Sequence, residues 1–172
     1  INYLVPINAS IDSEADVEFE AIDANRILSQ MSQADNGLNL MILDACRNNP
    51  LKGRSRSASR GLARMEAPKG SMILYATSPG TAAIDGEVGG RNGMFTGKLL
   101  EAMSQPGLKI YDVFQKTAQE VNKASESEQV PYIEGVILGD FYFNPESVKD
   151  KVDSKVTKVQ AVPHENLVAI KN

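Results

Sequence analysis

Residues Leu38 to Leu43 are apolar at every position but Asn39, and the run stops at Asp44-Ala45-Cys46-Arg47 before a polar stretch. A near-continuous apolar run of strand length is buried on both faces, which happens in parallel sheets with helices on each side. A second run, Ser71 to Thr77, has the same character. Before and after these two strands the spacing turns helical. Val17, Ile22, Ile27, Leu28 and Met31 predict an amphipathic helix over about residues 15 to 33. Leu99, Leu100 and Met103 mark the apolar side of a helix from Phe95 to Met103, stopped by Pro106-Gly107. Ile110, Val113, Phe114, Thr117 and Val121 mark another from Ile110 to Val121. Asn2 to Ile7 reads as a short edge strand, irregular at Pro6, and Val136 to Phe143 as a third solid strand. Alternation of this kind predicts an α/β fold with a mostly parallel sheet flanked by helices. The length fits one domain over residues 1–145, followed by a lysine-rich polar tail or linker over 146–172.

Open α/β sheets carry their chemistry at the carboxyl ends of their strands. Cys46 stands at such an end, with an acid two residues before it and an arginine after it, and is a candidate nucleophile. The alternative is a buried structural thiol, because free cysteine is among the most buried residue types.

Composition removes several other classes. A single cysteine rules out an internal disulfide and a cysteine-based zinc site, and His164 is the one histidine. A net charge of −4 gives no reason to expect nucleic acid or a membrane surface as partner. No apolar run approaches the ~20 residues of a membrane span. The glycines at 80, 86, 89, 90 and 93 fit neither a phosphate loop nor a dinucleotide turn, which disfavours a small-molecule α/β binding domain. A free reactive thiol suits a reducing cytoplasm.

Asp44-Ala45-Cys46-Arg47 resembles the nucleophile motif of the caspase-like cysteine peptidases, whose signature is Gln-Ala-Cys-(Arg/Gln/Gly)-Gly. It matches at Ala45, Cys46 and Arg47 and departs at Asp44 and Asn48. The acid at Asp44 is similar to the metacaspase and orthocaspase branch, the bacterial and plant-type members. Further segments are similar to the same family in the expected order. They are Asn2-Tyr3-Leu4-Val5-Pro6, Tyr75-Ala76-Thr77-Ser78-Pro79-Gly80, Gly90-Arg91-Asn92-Gly93, Gln129-Val130-Pro131-Tyr132 and Gly139-Asp140-Phe141-Tyr142-Phe143.

The resemblance implies a cysteine endopeptidase working through a Cys–His dyad, with Cys46 as nucleophile and its backbone N–H as one oxyanion donor. The dyad's histidine stands about 50 residues upstream of the cysteine in that family. Only 45 residues precede Cys46 here, and none is histidine. The expectation is that this chain is the portion after the catalytic His, with the N-terminal strands and a His-bearing segment supplied from upstream. His164, in the polar tail, is a poor substitute. A catalytically inactive scaffold or interaction module of the same fold is the competing class.

Metacaspases and orthocaspases cut after Arg or Lys, and a carboxylate beside the nucleophile suits a cationic residue there. Asp44 is the first candidate wall of that pocket and Asp85 the second. The alternatives are a strand-end acid paired to a local N–H and an ordinary turn Asp before Gly86. Arg54, Arg56, Arg60 and Arg64 fall where the family has its inter-subunit linker, so residues 52–69 are the expected self-processing loop. Calcium activates many metacaspases. Asp12, Glu14 and Asp16 are candidate ligands for it, and acids of a helix N-terminus are the alternative.

Overall fold

The structure is a computed structural model. It describes residues 1–34, 36–45, 62–78, 81, 83–84 and 91–145, and the backbone of 169–171. The described elements run β1 (Tyr3–Leu4), a 3-10 turn (Glu14–Asp16), α1 (Val17–Glu20), β2 (Ile22–Asp23), α2 (Ala24–Gln33), β3 (Asn39–Asp44) and β4 (Ser71–Tyr75). They continue with α3 (Met94–Met103), α4 (Ile110–Ala124), β5 (Tyr132–Gly135) and β6 (Ala169–Lys171). The main sheet has the order β5-β4-β3-β6. β3 pairs parallel with β4 from Asn39↔Ser71 to Leu43↔Tyr75, and parallel with β6 along Ile42–Asp44. β4 pairs antiparallel with β5, so the sheet is mixed.

The two central strands explain the layers. Side chains alternate across a strand. Leu40 and Ile42, beside Met72 and Leu74, face one side and pack with Phe95 and Leu99 of α3 and Ile110, Val113 and Val121 of α4. Met41 and Leu43, beside Ile73 and Tyr75, face the other and pack with Ala24 and Leu28 of α2, Leu4 of β1 and Met65. Every residue of β4 is buried, as the apolar run predicts for a strand covered on both faces.

The helix expected over 15–33 is broken. Ile22 and Asp23 leave the helical path to pair antiparallel with Leu4 and Tyr3. Asp23 then starts a new helix as its N-cap, its carboxylate accepting from the Asn25 N–H at 2.8 Å. In α3 the buried side is Phe95, Leu99 and Ala102, while Leu100 is half exposed at 50%. The stripe predicted for α4 is present: Ile110, Val113, Thr117 and Val121 are buried and Phe114 is partly so.

The third solid strand lies earlier than expected, at Tyr132–Gly135 rather than Val136–Phe143. Gly135 stops it. Its φ is +94°, and a Cβ there would collide with the carbonyl oxygen of Ser71. Beyond it Val136 and Leu138 are 59% and 79% exposed. The chain then turns back to the start of α4. The Ile110 N–H donates to the Phe141 carbonyl at 2.9 Å, Lys109 pairs with Asp140 at 3.0 Å, and Phe141 and Phe143 stack edge to face.

Candidate active site

Three elements meet where parallel sheets hold their chemistry: the carboxyl end of β3, the carboxyl end of β4 and the amino end of α3. Asp44 is the last residue of β3 and is half-buried. Its Oδ2 accepts from the Thr96 backbone N–H at 3.2 Å and from the Thr96 hydroxyl at 2.5 Å.

The reason lies in α3. The residue at its N-cap is Gly93, which has no side chain to cap the helix. The first N–H groups of a helix need acceptors, and its amino end favours a negative charge. Asp44 supplies both from across the fold. Gly93 also makes room for it, since a Cβ there would lie 3.0 Å from Asp44 Oδ2. The alternative of a strand-end acid bonded to an N–H thus describes Asp44, though the N–H belongs to a helix 52 residues away.

β3 and β4 stay joined past their regular pairing through the Ala76 N–H, which donates to the Leu43 carbonyl at 2.9 Å. The chain leaving β4 is pinned at several points. The Thr77 and Thr81 hydroxyls share a hydrogen bond, the Thr81 hydroxyl donates to the Ser78 carbonyl, and the Ser78 hydroxyl donates to the Val130 carbonyl. Gln129 is fully buried and grips both ends of this segment. Its Nε2 donates to the Ala76 carbonyl at 2.7 Å, and its Oε1 accepts from the Ile84 N–H at 2.8 Å. The residue after Ile84 is Asp85.

The last described part of the site is residues 62–67, which lie over the α2 face of the sheet. Asn2, buried at the start of the chain, clasps Ala63: its Nδ2 donates to the Ala63 carbonyl and its Oδ1 accepts from the Ala63 N–H, both at 2.7 Å. The Met65 N–H donates to the Tyr75 hydroxyl, and the Met65 side chain is buried. Arg64 forms a two-point ion pair with Glu134 at 2.7 and 3.0 Å, and the Tyr132 hydroxyl donates to the same carboxylate at 2.7 Å. The Arg64 and Tyr132 hydrogen bonds hold the Glu134 carboxyl below its ordinary range. The bond to Glu134 in turn raises the Tyr132 phenol.

Of the residues singled out by sequence, Asp44 and Arg64 are thus placed, about as far apart in role as two polar residues can be: one caps a helix, the other fastens a strap. Cys46, Asp85, Arg54, Arg56, Arg60 and His164 lie outside the described residues. Glu14 and Asp16 stand in the first turn of the 3-10 helix, and Asp12 lies just before its N-cap, Ser13. Asp16 Oδ2 accepts from the Asp12 and Ser13 N–H groups and from the Ser13 hydroxyl, which lowers its pKa. Among the described residues no group of three or more His, Cys, Asp or Glu side chains is placed to hold a metal ion. No helix among them is long and apolar enough to cross a membrane.

Thr96 and Gln129 escaped the sequence reading of the site, although both left a trace. A helix that begins at Gly93 with no capping side chain of its own must find its cap elsewhere. Gln129 sits in one of the family-like motifs but carries no charge or nucleophile that marks it as chemical.

A family model described as the caspase domain matches residues 2–142. Among solved structures, the chain is similar to caspase-1 from Spodoptera frugiperda, with a TM-score of 0.52 at 17% sequence identity. That alignment covers 73% of this chain and 56% of the insect protein, so the chain spans a little over half the length of that relative. No curated protein sequence matches it.

Proposed function

The chain belongs to the caspase-domain family, and from that premise we propose that it is the cysteine-bearing part of an endopeptidase that cleaves after Arg or Lys. The observation that carries the reading is Asp44. A carboxylate held by two hydrogen bonds at the carboxyl end of β3 stands two residues before Cys46 in a family whose chemistry is peptide hydrolysis. The metacaspase or orthocaspase type is the branch this acid suits.

Cys46 is the nucleophile. Free cysteine titrates near ~8.5, so a base must help it at neutral pH. That base is a histidine on a segment other than residues 1–172, because the family's histidine precedes the cysteine and none of the 45 residues before Cys46 is histidine. The histidine takes the thiol proton as sulfur attacks the substrate carbonyl and returns it to the leaving amine. The Cys46 N–H helps hold the oxyanion of the tetrahedral intermediate. Asp44 receives the positive side chain before the cut bond, with Asp85 as second wall.

The same specificity turned on the chain itself cuts within residues 52–69. Arg54, Arg56 and Arg60 are the sites. Arg64 is disfavoured, since a protease needs an extended, free backbone and Ala63 is clasped by Asn2 while Met65 is buried.

The test joins residues 1–172 to the His-bearing segment and measures cleavage of fluorogenic peptides differing only at the residue before the cut. Arg and Lys peptides should far outrun the Asp peptide, and Cys46→Ala should abolish turnover with the fold intact. Equal turnover in Cys46→Ala would refute the nucleophile. A preference for Asp would refute the role of Asp44. Absence of any hydrolysis would favour the inactive scaffold.

A further inference from the structure

We propose that Thr96 is the positioning residue for specificity: its N–H and hydroxyl fix one oxygen of Asp44 and leave the other to the substrate's cation. The inference rests on the reading of Asp44 given above and deepens it. Both Thr96 bonds end on Oδ2, at 3.2 and 2.5 Å. Oδ1 accepts no hydrogen bond from any described residue.

A carboxylate on a short side chain rotates about two bonds, and an unanchored one presents a spread of orientations to an incoming guanidinium or ammonium. Anchoring Oδ2 removes that spread before the substrate arrives, which is how pre-organisation improves affinity. The anchor is itself rigid. Thr96 is in the first turn of α3, between Phe95, which is fully buried against the sheet, and Gly97, whose N–H donates to the Gly93 carbonyl. β-branching restricts χ1 of Thr96, so its hydroxyl is held in few orientations. The small residue at 93 belongs to the same device, because a Cβ there would crowd Oδ2. The amino end of α3 is a favourable neighbour for the carboxylate but does not cancel its charge, since a helix terminus carries only about half a charge.

The device makes a prediction that a purely structural threonine does not share. Thr96→Val keeps the N–H and the shape but loses the hydroxyl bond, and Thr96→Ser keeps the hydroxyl. In the chain joined to its His-bearing segment, Thr96→Val should raise KM for Arg and Lys peptides by about tenfold or more, the usual cost of one charge-assisted bond. Thr96→Ser should stay within about twofold. In an Asp44→Asn background the same Thr96→Val change should have no further effect, because the charge it orients is gone. Alkylation of Cys46 by iodoacetamide, which carries no cation, should proceed at nearly the same rate in Thr96→Val and Thr96→Ser as in the unaltered chain, since neither change touches the charge of Asp44.

Benzamidine binding, followed by the Thr96 amide resonance, reads the same contact without turnover: Thr96→Val should weaken it and Thr96→Ser should not. An unchanged KM in Thr96→Val, or an equal loss in the Asp44→Asn background, would overturn the role of Thr96 while leaving Asp44 in place. Unchanged Arg cleavage in Asp44→Asn alone would instead overturn the reading beneath it. A protein that neither cleaves Arg peptides nor binds benzamidine would overturn both.

Discussion

Replacing Gln129 by methionine should cost this fold several kcal/mol, on the order of two lost buried hydrogen bonds, because Gln129 is polar, fully buried and bonded at both ends of its amide. Methionine keeps the length and apolar stem and removes both bonds. The Ala76 carbonyl lies in a residue only 2% exposed and loses its 2.7 Å donor with no water to replace it. The Ile84 N–H is half-buried and recovers part of its loss from solvent. A buried group left unpaired costs about 1–3 kcal/mol, so two give about 2–6 kcal/mol and the exposure at Ile84 puts the sum at about 2–4 kcal/mol. For a chain of this size that is a fall in Tm of about 5–15 °C. Urea unfolding monitored by circular dichroism gives the free energy, and hydrogen exchange at the Ile84 amide gives the local effect. Gln129→Glu adds a pH signature. An ionised carboxylate facing the Ala76 carbonyl is repelled, so its folded pKa rises above the unfolded value. The variant should therefore recover stability as pH falls through the carboxylate range and lose it as pH rises. A Gln129→Met penalty below about 0.5 kcal/mol, the level of an ordinary surface change, would refute the two-ended grip.

The other outcomes follow from the strap and the loop before it. Arg64→Ala should destabilise the protein at neutral pH, and the difference should vanish in acid: Glu134 has a lowered folded pKa, so its contribution is present above the unfolded carboxylate range and is lost as pH falls through the folded value. Unfolding curves of the two proteins from neutral pH into acid should converge; a gap that persists in acid would mean Arg64 acts through packing. Intact-mass analysis of the active enzyme should find new termini after Arg54, Arg56 or Arg60 and none after Arg64, and Cys46→Ala should yield no fragments. Asn2→Ala releases Ala63 and should bring cleavage after Arg64 into view; an Arg64 terminus in the unaltered chain would show that the clasp does not protect it.

How far the sequence spoke depended on whether a residue's role was set locally. β3 and β4 were legible because each is a short apolar run covered on both sides, and the stripe of α4 because Ile110, Val113, Thr117 and Val121 repeat at the helical period. The break at Ile22–Asp23 was hidden, since Ile22 fits a helical stripe as well as it fits the partner of Leu4; tertiary pairing overrode the period. Val136-Ile137-Leu138 reads as strand by composition, yet the left-handed φ of Gly135 and the close approach of Ser71 end the pairing one residue earlier. In the site, Asp44 was marked by its distance from Cys46 in the chain, whereas its two bonds to Thr96 span 52 residues and nothing local announces them.

The strap decides what a cut in the preceding loop can do. β3 ends at Asp44 and β4 begins at Ser71, so residues 45–70 connect two strands that lie side by side. Breaking the chain at Arg54, Arg56 or Arg60 leaves five paired positions between β3 and β4, the Ala76–Leu43 bond beyond them and the Asn2 clasp on Ala63. The two pieces also share both cores, through Leu40 and Ile42 with Met72 and Leu74 on one face and Met41 and Leu43 with Ile73 and Tyr75 on the other. Opening a long connection removes little more than its closure entropy from the balance, a term that grows only slowly with loop length. The fold should therefore tolerate the cut. A break after Arg64 is different in kind. It severs the clasped residue from Met65, which is packed in the core, and detaches Arg64 and its ion pair from the piece that contains Glu134. A cut before the strap would thus leave the two pieces held together, whereas one within it would part residues that the fold fastens.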